Sequence, residues 1–256
     1  MAMTKAVSSA KFEIAYLTGS TAADPIACSS AGSVAISTSD EIFFCVELAA
    51  TTANHTDRTS TTTIPAAGYI ACSADTSGDK LLLGWLDKDA TTGYSSANFR
   101  VSFIAADASA SVAEVLADIT TTDVIVACYT CDSTSGILVD ITSTTSCATN
   151  GYLTITSGTE HGIILFWYDV SGASKTLSSF CPQFAILAGT TAATNITLTG
   201  AAIGDQMYGV GEFSASHNLV VADRTSTSSV TTAANYQCSA STASNALWVF
   251  WNDASA

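Results

Sequence analysis

Positive charge and histidine are scarce here: the 256 residues carry 8 Lys and Arg against 22 Asp and Glu, with 3 His and a formal net charge of −14. No cationic run occurs, which argues against a phosphate-contacting role, because nonspecific nucleic-acid affinity comes largely from clustered Lys and Arg. His55, His161 and His217 fall near loops at unrelated phases of the sequence, so no H-x-x-x-H pair or recurrent His/Asp/Glu set is present to bind zinc. Gly204, Gly209 and Gly211 lie in strand-like sequence without a following Gly-Lys-Ser/Thr, so they make no phosphate loop. There is no G-x-S-x-G nucleophile elbow and no EF-hand spacing among the aspartates. The opening MAMTKAVSSAKFEIAYL lacks the charged-then-apolar order of a signal peptide, and no later segment is long and apolar enough for a transmembrane span. These absences set the expectation of a non-enzymatic protein made in a cytoplasm, with no cofactor, metal, nucleic-acid or membrane partner.

The 8 cysteines are too few and too irregular for a disulfide-framework module. Several lie in apolar runs, notably Cys45 and Cys128, and read as small buried hydrophobes or free thiols. A sharper alternative is that some pair once a finished assembly meets an oxidising exterior, with partners the sequence leaves open. Cys128 and Cys131 form a C-x-x-C without a second pair for zinc and without the βαβ context of a redox site.

What is present is repetition. Trp85, Trp167 and Trp251 each stand two residues before an aspartate, Asp87, Asp169 or Asp253, at the end of an apolar run. Upstream, Asp57, Asp140 and Asp223 each begin an Asp-x-Thr-Ser-Thr segment and recur at intervals of 83 and 83 residues. Tyr69, Tyr152 and Tyr236 follow at nearly constant distance, and Asp40, Asp123 and Asp205 open an earlier apolar run in each copy. The landmarks define an N-terminal arm over 1–10 and three degenerate copies over 11–93, 94–176 and 177–256. Each copy is long enough to support a small core of its own.

Within each copy, short apolar stretches alternate with Ser, Thr, Gly, Asp and Asn, the pattern of an all-β chain built as three tandem small β-sandwich or β-barrel-like domains. In copy three the expected strands are 194–199, 205–213, 218–222, 227–232, 235–240 and 246–252. Ser111–Leu116 is the one stretch with a helical turn in prospect. In Lys80–Asp87, alternation puts Leu81, Leu83 and Trp85 on one face and Leu82 and Leu86 on the other. A strand apolar on both faces must be covered twice, by its own sandwich and by a neighbouring repeat or second subunit. Copy two replaces Arg58 and Arg224 by Ile141 while keeping Asp140. That exchange favours a turn role for Asp57, Asp140 and Asp223 over a catalytic one.

Thr56-Asp57-Arg58-Thr59-Ser60, together with Asp75 through Asp87, resembles small β-rich proteins encoded among tailed-bacteriophage structural genes. Those are single modules with a D-R-T-S segment, a Thr-rich strand and a closing D-T-S-G-D-K-L-L strand before an aromatic. In copy two, Ile141 and Gly158–Gly162 depart from this pattern. The resemblance implies a virion component that decorates and stabilises the capsid exterior, as a homo-oligomer or bound to the lattice of capsid or other virion subunits. It brings no active-site residue. A tail tube or fibre component and a glycan- or receptor-binding β module, with Tyr94 and Tyr168 as candidate aromatics, are the alternatives.

Overall fold

The computed structural model describes the chain apart from residues 1–10, 21–23, 31–32, 53, 73–76, 91–97, 106–112, 132–134, 156–161, 171–180, 193, 241 and 255–256. The expected arm over 1–10, His161 and Tyr94 lie outside the described residues. The chain is all-β. The first repeat contributes β1 (Lys11–Thr18), β2 (Ile26–Ala27), β3 (Glu41–Leu48), β4 (His55–Asp57), β5 (Thr62–Ala66), β6 (Tyr69–Cys72) and β7 (Lys80–Asp87). The second contributes β8 (Phe99–Ile104), β9 (Ala113–Val115), β10 (Val124–Cys131), β11 (Leu138–Asp140), β12 (Ser146–Thr149), β13 (Tyr152–Thr154) and β14 (Ile163–Tyr168). The third contributes β15 (Pro182–Ala188), β16 (Asn195–Thr197), β17 (Gln206–Phe213), β18 (Val220–Asp223), β19 (Ser229–Thr232), β20 (Asn235–Gln237) and β21 (Ala246–Asn252).

Each set has the same topology. Its first, seventh, third and fourth strands form an inner four-stranded sheet in that order, and its second, sixth and fifth form an outer three-stranded sheet. Even the irregularities repeat, because the third strand bulges at Ile42/Phe44, at Ile125/Ala127 and at Met207/Gly209 against its seventh-strand partner. Between the two sheets of each repeat lies a private core. It holds Leu81, Leu83 and Trp85 in repeat one, Ile163, Leu165 and Trp167 in repeat two, and Leu247, Val249 and Trp251 in repeat three.

The opposite faces of the seventh strands enter one shared core. Leu82 and Leu86 meet Ile164, Phe166 and Tyr168, together with Trp248 and Phe250. The first strand of each repeat packs on the third-strand side of the next: β1 on β10, β8 on β17 and β18, and β15 on β3 and β4. These head-to-tail contacts close into a ring of three within one chain. The second covering that the aromatic strands require is thus supplied by neighbouring repeats, so their two-sided pattern does not itself call for a second subunit.

The ring axis is filled by one phenyl group per repeat. Phe44 and Phe166 stack at 5.7 Å between ring centroids, and Phe250 meets them edge-on at 5.3 and 6.0 Å. Phe44 comes from a third strand and the other two from seventh strands, and the cross-strand partner of each is small. Phe44 faces Gly84, Phe166 faces Ala127 and Phe250 faces Gly209. A Cβ added at Gly84 would overlap the Phe44 ring, so the small residue is required by the large one.

Three details differ from the sequence expectation. Ala113–Val115, inside the stretch with a helical turn in prospect, is strand β9, because edge pairing with β13 overrides a marginal local preference. Tyr236 does not share the position of Tyr69 and Tyr152. Ala234, at φ +59°, takes the turn position of Gly68 and Gly151, so Asn235 aligns with the two tyrosines and Tyr236 with Ile70 and Leu153. The one-residue offset puts Tyr236 fully inside, with its hydroxyl 2.7 Å from Ser228 Oγ, whereas Tyr69 and Tyr152 are 45% and 44% exposed. Strand β15 was not among the expected strands of copy three, since it precedes every recurrent landmark.

The axis packing makes a quantitative prediction. Gly84→Ala should destabilise the protein by about 1–3 kcal/mol through overpacking against Phe44. In Gly84→Ala/Phe44→Ala, that clash is absent, so denaturant unfolding should show the two substitutions to be strongly non-additive; additive losses would rule out the packing argument.

Candidate functional site

The recurrent Asp-x-Thr-Ser-Thr segment is a staple between the two sheets of each repeat. Asp57, Asp140 and Asp223 each accept, through Oδ1, the N–H of the threonine two residues on, at 2.8–2.9 Å. That threonine begins a 3-10 turn, and its hydroxyl accepts the N–H of Cys45, Cys128 or Val210 on the third strand, at 2.9–3.0 Å. The backbone N–H of Arg58, Ile141 or Arg224 donates to the carbonyl of the same third-strand residue. Thr62, Thr145 or Ser228 closes the turn by donating to the carbonyl of Arg58, Ile141 or Arg224. The chain thereby leaves the inner sheet and enters the outer one with its polar backbone groups satisfied.

Asp40, Asp123 and Asp205 perform a second recurrent task. Each accepts the N–H three residues earlier through Oδ2 at 2.7–2.8 Å. The Oδ1 atoms accept Lys88 N–H, Val170 N–H and Ala254 N–H just beyond the seventh strands. The exit from the seventh strand is thus held by these aspartates together with Asp87, Asp169 and Asp253. Asp87 accepts from Asp89 and Ala90, whereas Asp169 faces Arg100 at 3.5 Å and the Asp253 N–H donates to the Cys181 carbonyl. Trp85, Trp167 and Trp251 are buried at equivalent places, and only the Trp167 indole N–H is seen to donate, to Ser102 Oγ at 2.9 Å.

The arginines acquire a meaning the sequence reading missed. Arg58 Nε donates to buried Glu47 at 2.6 Å and Arg224 Nε to buried Glu212 at 2.7 Å. In repeat two both partners are replaced: Ile141 stands in the arginine position, and Thr130 in the glutamate position of the third strand. Ile141 joins the private core instead. The pair is exchanged as a unit because a buried carboxylate stripped of its cation would be costly.

The C-x-x-C cysteines are separated by the sheet. Cys128 faces the private core of repeat two and Cys131 the shared core, as odd spacing on a strand demands. Tyr168, a candidate ligand-contacting aromatic, is buried, with its hydroxyl accepting the Phe12 N–H at 2.8 Å.

Two places between repeats concentrate functional groups. The first is a cleft of about 720 Å³ between repeats two and three, bordered by Arg100, Ser102, Trp167, Asp169, Tyr208 and Asp223. Its polar groups are largely committed. Arg100 faces Asp169, Ser102 accepts from Trp167, and Asp223 accepts Phe103 N–H through the oxygen not used by Thr225. The walls come close because Gly209 and Gly211 lie under Val101 and Phe103, where any Cβ would overlap.

The second is a histidine pair at the seam where repeat three closes onto repeat one. The backbone N–H of His55 donates to His217 Nδ1 at 2.8 Å, and the rings lie 4.9 Å apart. His55 Nε2 meets the Gly136 carbonyl of repeat two at 3.2 Å, its Nδ1 has no hydrogen-bond partner among the described residues, and its ring packs against Phe213 and Trp248. Its strand position is filled by Leu138 in repeat two, and Val220 plays the part in repeat three. Burial, reinforced by His217, pushes the His55 pKa down to about 3, and burial also lowers that of His217. The sequence reading placed these histidines at unrelated phases; the ring brings two of them together through tertiary contact. Among the described residues, no group of three or more His, Cys, Asp or Glu is placed to hold a metal ion.

No protein family, curated protein or solved structure matches this chain.

Two outcomes test this reading. Arg58→Ile should cost about 3–5 kcal/mol by stranding Glu47, and Arg58→Ile/Glu47→Thr, the combination used by repeat two, should recover much of it in equilibrium unfolding. For His55, the folded-state pKa lies below the unfolded value of 6.5. Its contribution is complete above about pH 6.5 and declines as pH falls towards 3, by up to about 1.4 kcal/mol per pH unit. His55→Leu should flatten the stability profile between pH 6.5 and 4 relative to the parent; parallel profiles would remove His55 from the account.

Proposed function

We propose that the protein is a non-enzymatic virion structural component that decorates and stabilises the exterior of a tailed-phage capsid. The observation that carries this reading is the closed ring of three similar sandwiches, which presents three related outer faces around one axis from a single chain. Such a body suits a position where three shell subunits meet, because linked faces engage neighbouring subunits at high effective concentration. The phage-like segment around Asp57 and the closing strand supply the address.

The filled axis bears on the alternatives. Phe44, Phe166 and Phe250 occupy the centre of the ring, so one chain encloses no lumen there and a tail tube would have to form around another axis. The acidic balance, with a net charge of −14, disfavours an inward role against DNA. Because the second faces of the inner sheets are already covered, contact with a shell falls to the outer sheets and loop ends. There Tyr152 pairs across strands with Val115, and both are exposed, at 44% and 68%.

Density maps of the intact particle are the decisive measurement. Chains seated on the outside over several shell subunits are expected; stacking into a central tube would overturn the capsid placement. Glycan binding by a chain that never contacts a particle would favour the binding module. Tyr152→Asn, with the residue of the equivalent position in repeat three, should lower occupancy on particles while leaving the unfolding midpoint nearly unchanged. Full occupancy would shift the contact away from this face.

A further inference from the structure

We infer that Cys45 and Cys72 are a dithiol pair built to form an intersheet disulfide, assigning one oxidation site among the 8 cysteines. Cys45 lies on β3 of the inner sheet and Cys72 on β6 of the outer sheet, both at 0% exposure in the private core of repeat one. The two residues thus face one another from opposite sheets of one small core, and the Cys72 sulfur lies 4.0 Å from Thr61 Oγ1 in the turn that joins those sheets. The turn locates the pair through the backbone as well, since the Cys45 N–H donates to Thr59 Oγ1 at 3.0 Å and Thr62, three residues on, is the strand partner of Cys72.

Comparison of the repeats separates this pair from ordinary buried cysteine. The Cys45 position is Cys128 in repeat two and Val210 in repeat three. The Cys72 position, two residues beyond Ile70, Leu153 or Tyr236, is Ile155 or Cys238. Repeats two and three thus set one cysteine against one aliphatic residue, whereas repeat one sets thiol against thiol. Cys28 shares that core, but its thiol is held neutral by burial alone, with a pKa pushed up to about 12.

The co-reactant is a small-molecule disulfide such as oxidised glutathione. One thiol of the pair loses its proton and attacks a glutathione sulfur, breaking that S–S bond and releasing one glutathione thiol. The second thiolate then attacks the mixed disulfide, closing the protein S–S bond and releasing the other glutathione. The two protein thiols together lose two electrons, and the small disulfide gains them. In the folded repeat both thiols are covered, so exchange proceeds from an opened repeat or during folding.

The test is refolding of the full chain with oxidised glutathione, followed by alkylation and peptide mapping without reductant. A Cys45–Cys72 linkage is expected as the dominant product, with the thermal midpoint raised by roughly 5–10 °C and returned by dithiothreitol. Cys45→Val and Cys72→Ile, each using a residue that another repeat carries at that position, should fold and lose both the linkage and the shift. Folded protein in which Cys45 and Cys72 remain alkylatable, or in which linkages to Cys28 predominate, would overturn the assignment. The linkage map of the parent protein decides the matter even where a variant folds poorly.

Discussion

The shared core on the axis-facing sides of three sandwiches governs the rest of the structure. Each seventh strand is apolar on both faces, and a single sandwich of this size can cover only one of them. Leaving Leu82, Ile164 or Trp248 in water would forfeit about 1.5–3 kcal/mol for each large side chain, a serious loss for a domain of marginal size. Ring closure removes that cost inside one molecule. It also brings loops that are remote in sequence to common junctions, which is how His55, Gly136 and His217, one from each repeat, meet.

Closure with three copies sets a packing problem at the axis. Three large rings fit only if each is accommodated across the sheet by a small residue, and the chain meets this with Phe44/Gly84, Ala127/Phe166 and Gly209/Phe250. The large residue has exchanged strands between repeat one and the other two, while the summed volume stays comparable. Complementarity of this kind spans repeats, so the modules are no longer interchangeable. Gly209 and Gly211 admit the close approach of β8, whereas the equivalent positions of repeat one hold Phe44 and Val46.

Much of the architecture was legible because it is local. Alternation in Lys80–Asp87 assigned Leu81, Leu83 and Trp85 to one core and Leu82 and Leu86 to another, and the recurrent Asp57, Asp140 and Asp223 marked a turn whose opening hydrogen bond reaches only two residues along the chain. What could not be read depends on partners distant in sequence. The Glu47–Arg58 pair joins β3 to the turn after β4, and its joint replacement by Thr130 and Ile141 becomes visible only once the third strand is aligned through its bulge. Tyr236 misled for a different reason. A tyrosine one residue after the expected place has the composition of a landmark and the opposite facing, and the left-handed turn at Ala234, without its glycine, hid the offset.

Linking three sandwiches in one chain relaxes a constraint that identical subunits would face. In a symmetric trimer, any residue placed at a junction appears three times, so a buried histidine would be imposed on all junctions at once. Here His55 occupies one seam, while Leu138 and Val220 serve the corresponding positions elsewhere. The seam it occupies is the junction between repeats one and three, which are not consecutive in the chain and rely on noncovalent contact for closure. An acid-sensitive contact there bears on the one closure that no backbone connection supports. Polar chemistry at that seam therefore affects the ring as a whole, and the same residue at either of the other junctions would be buffered by the covalent connection.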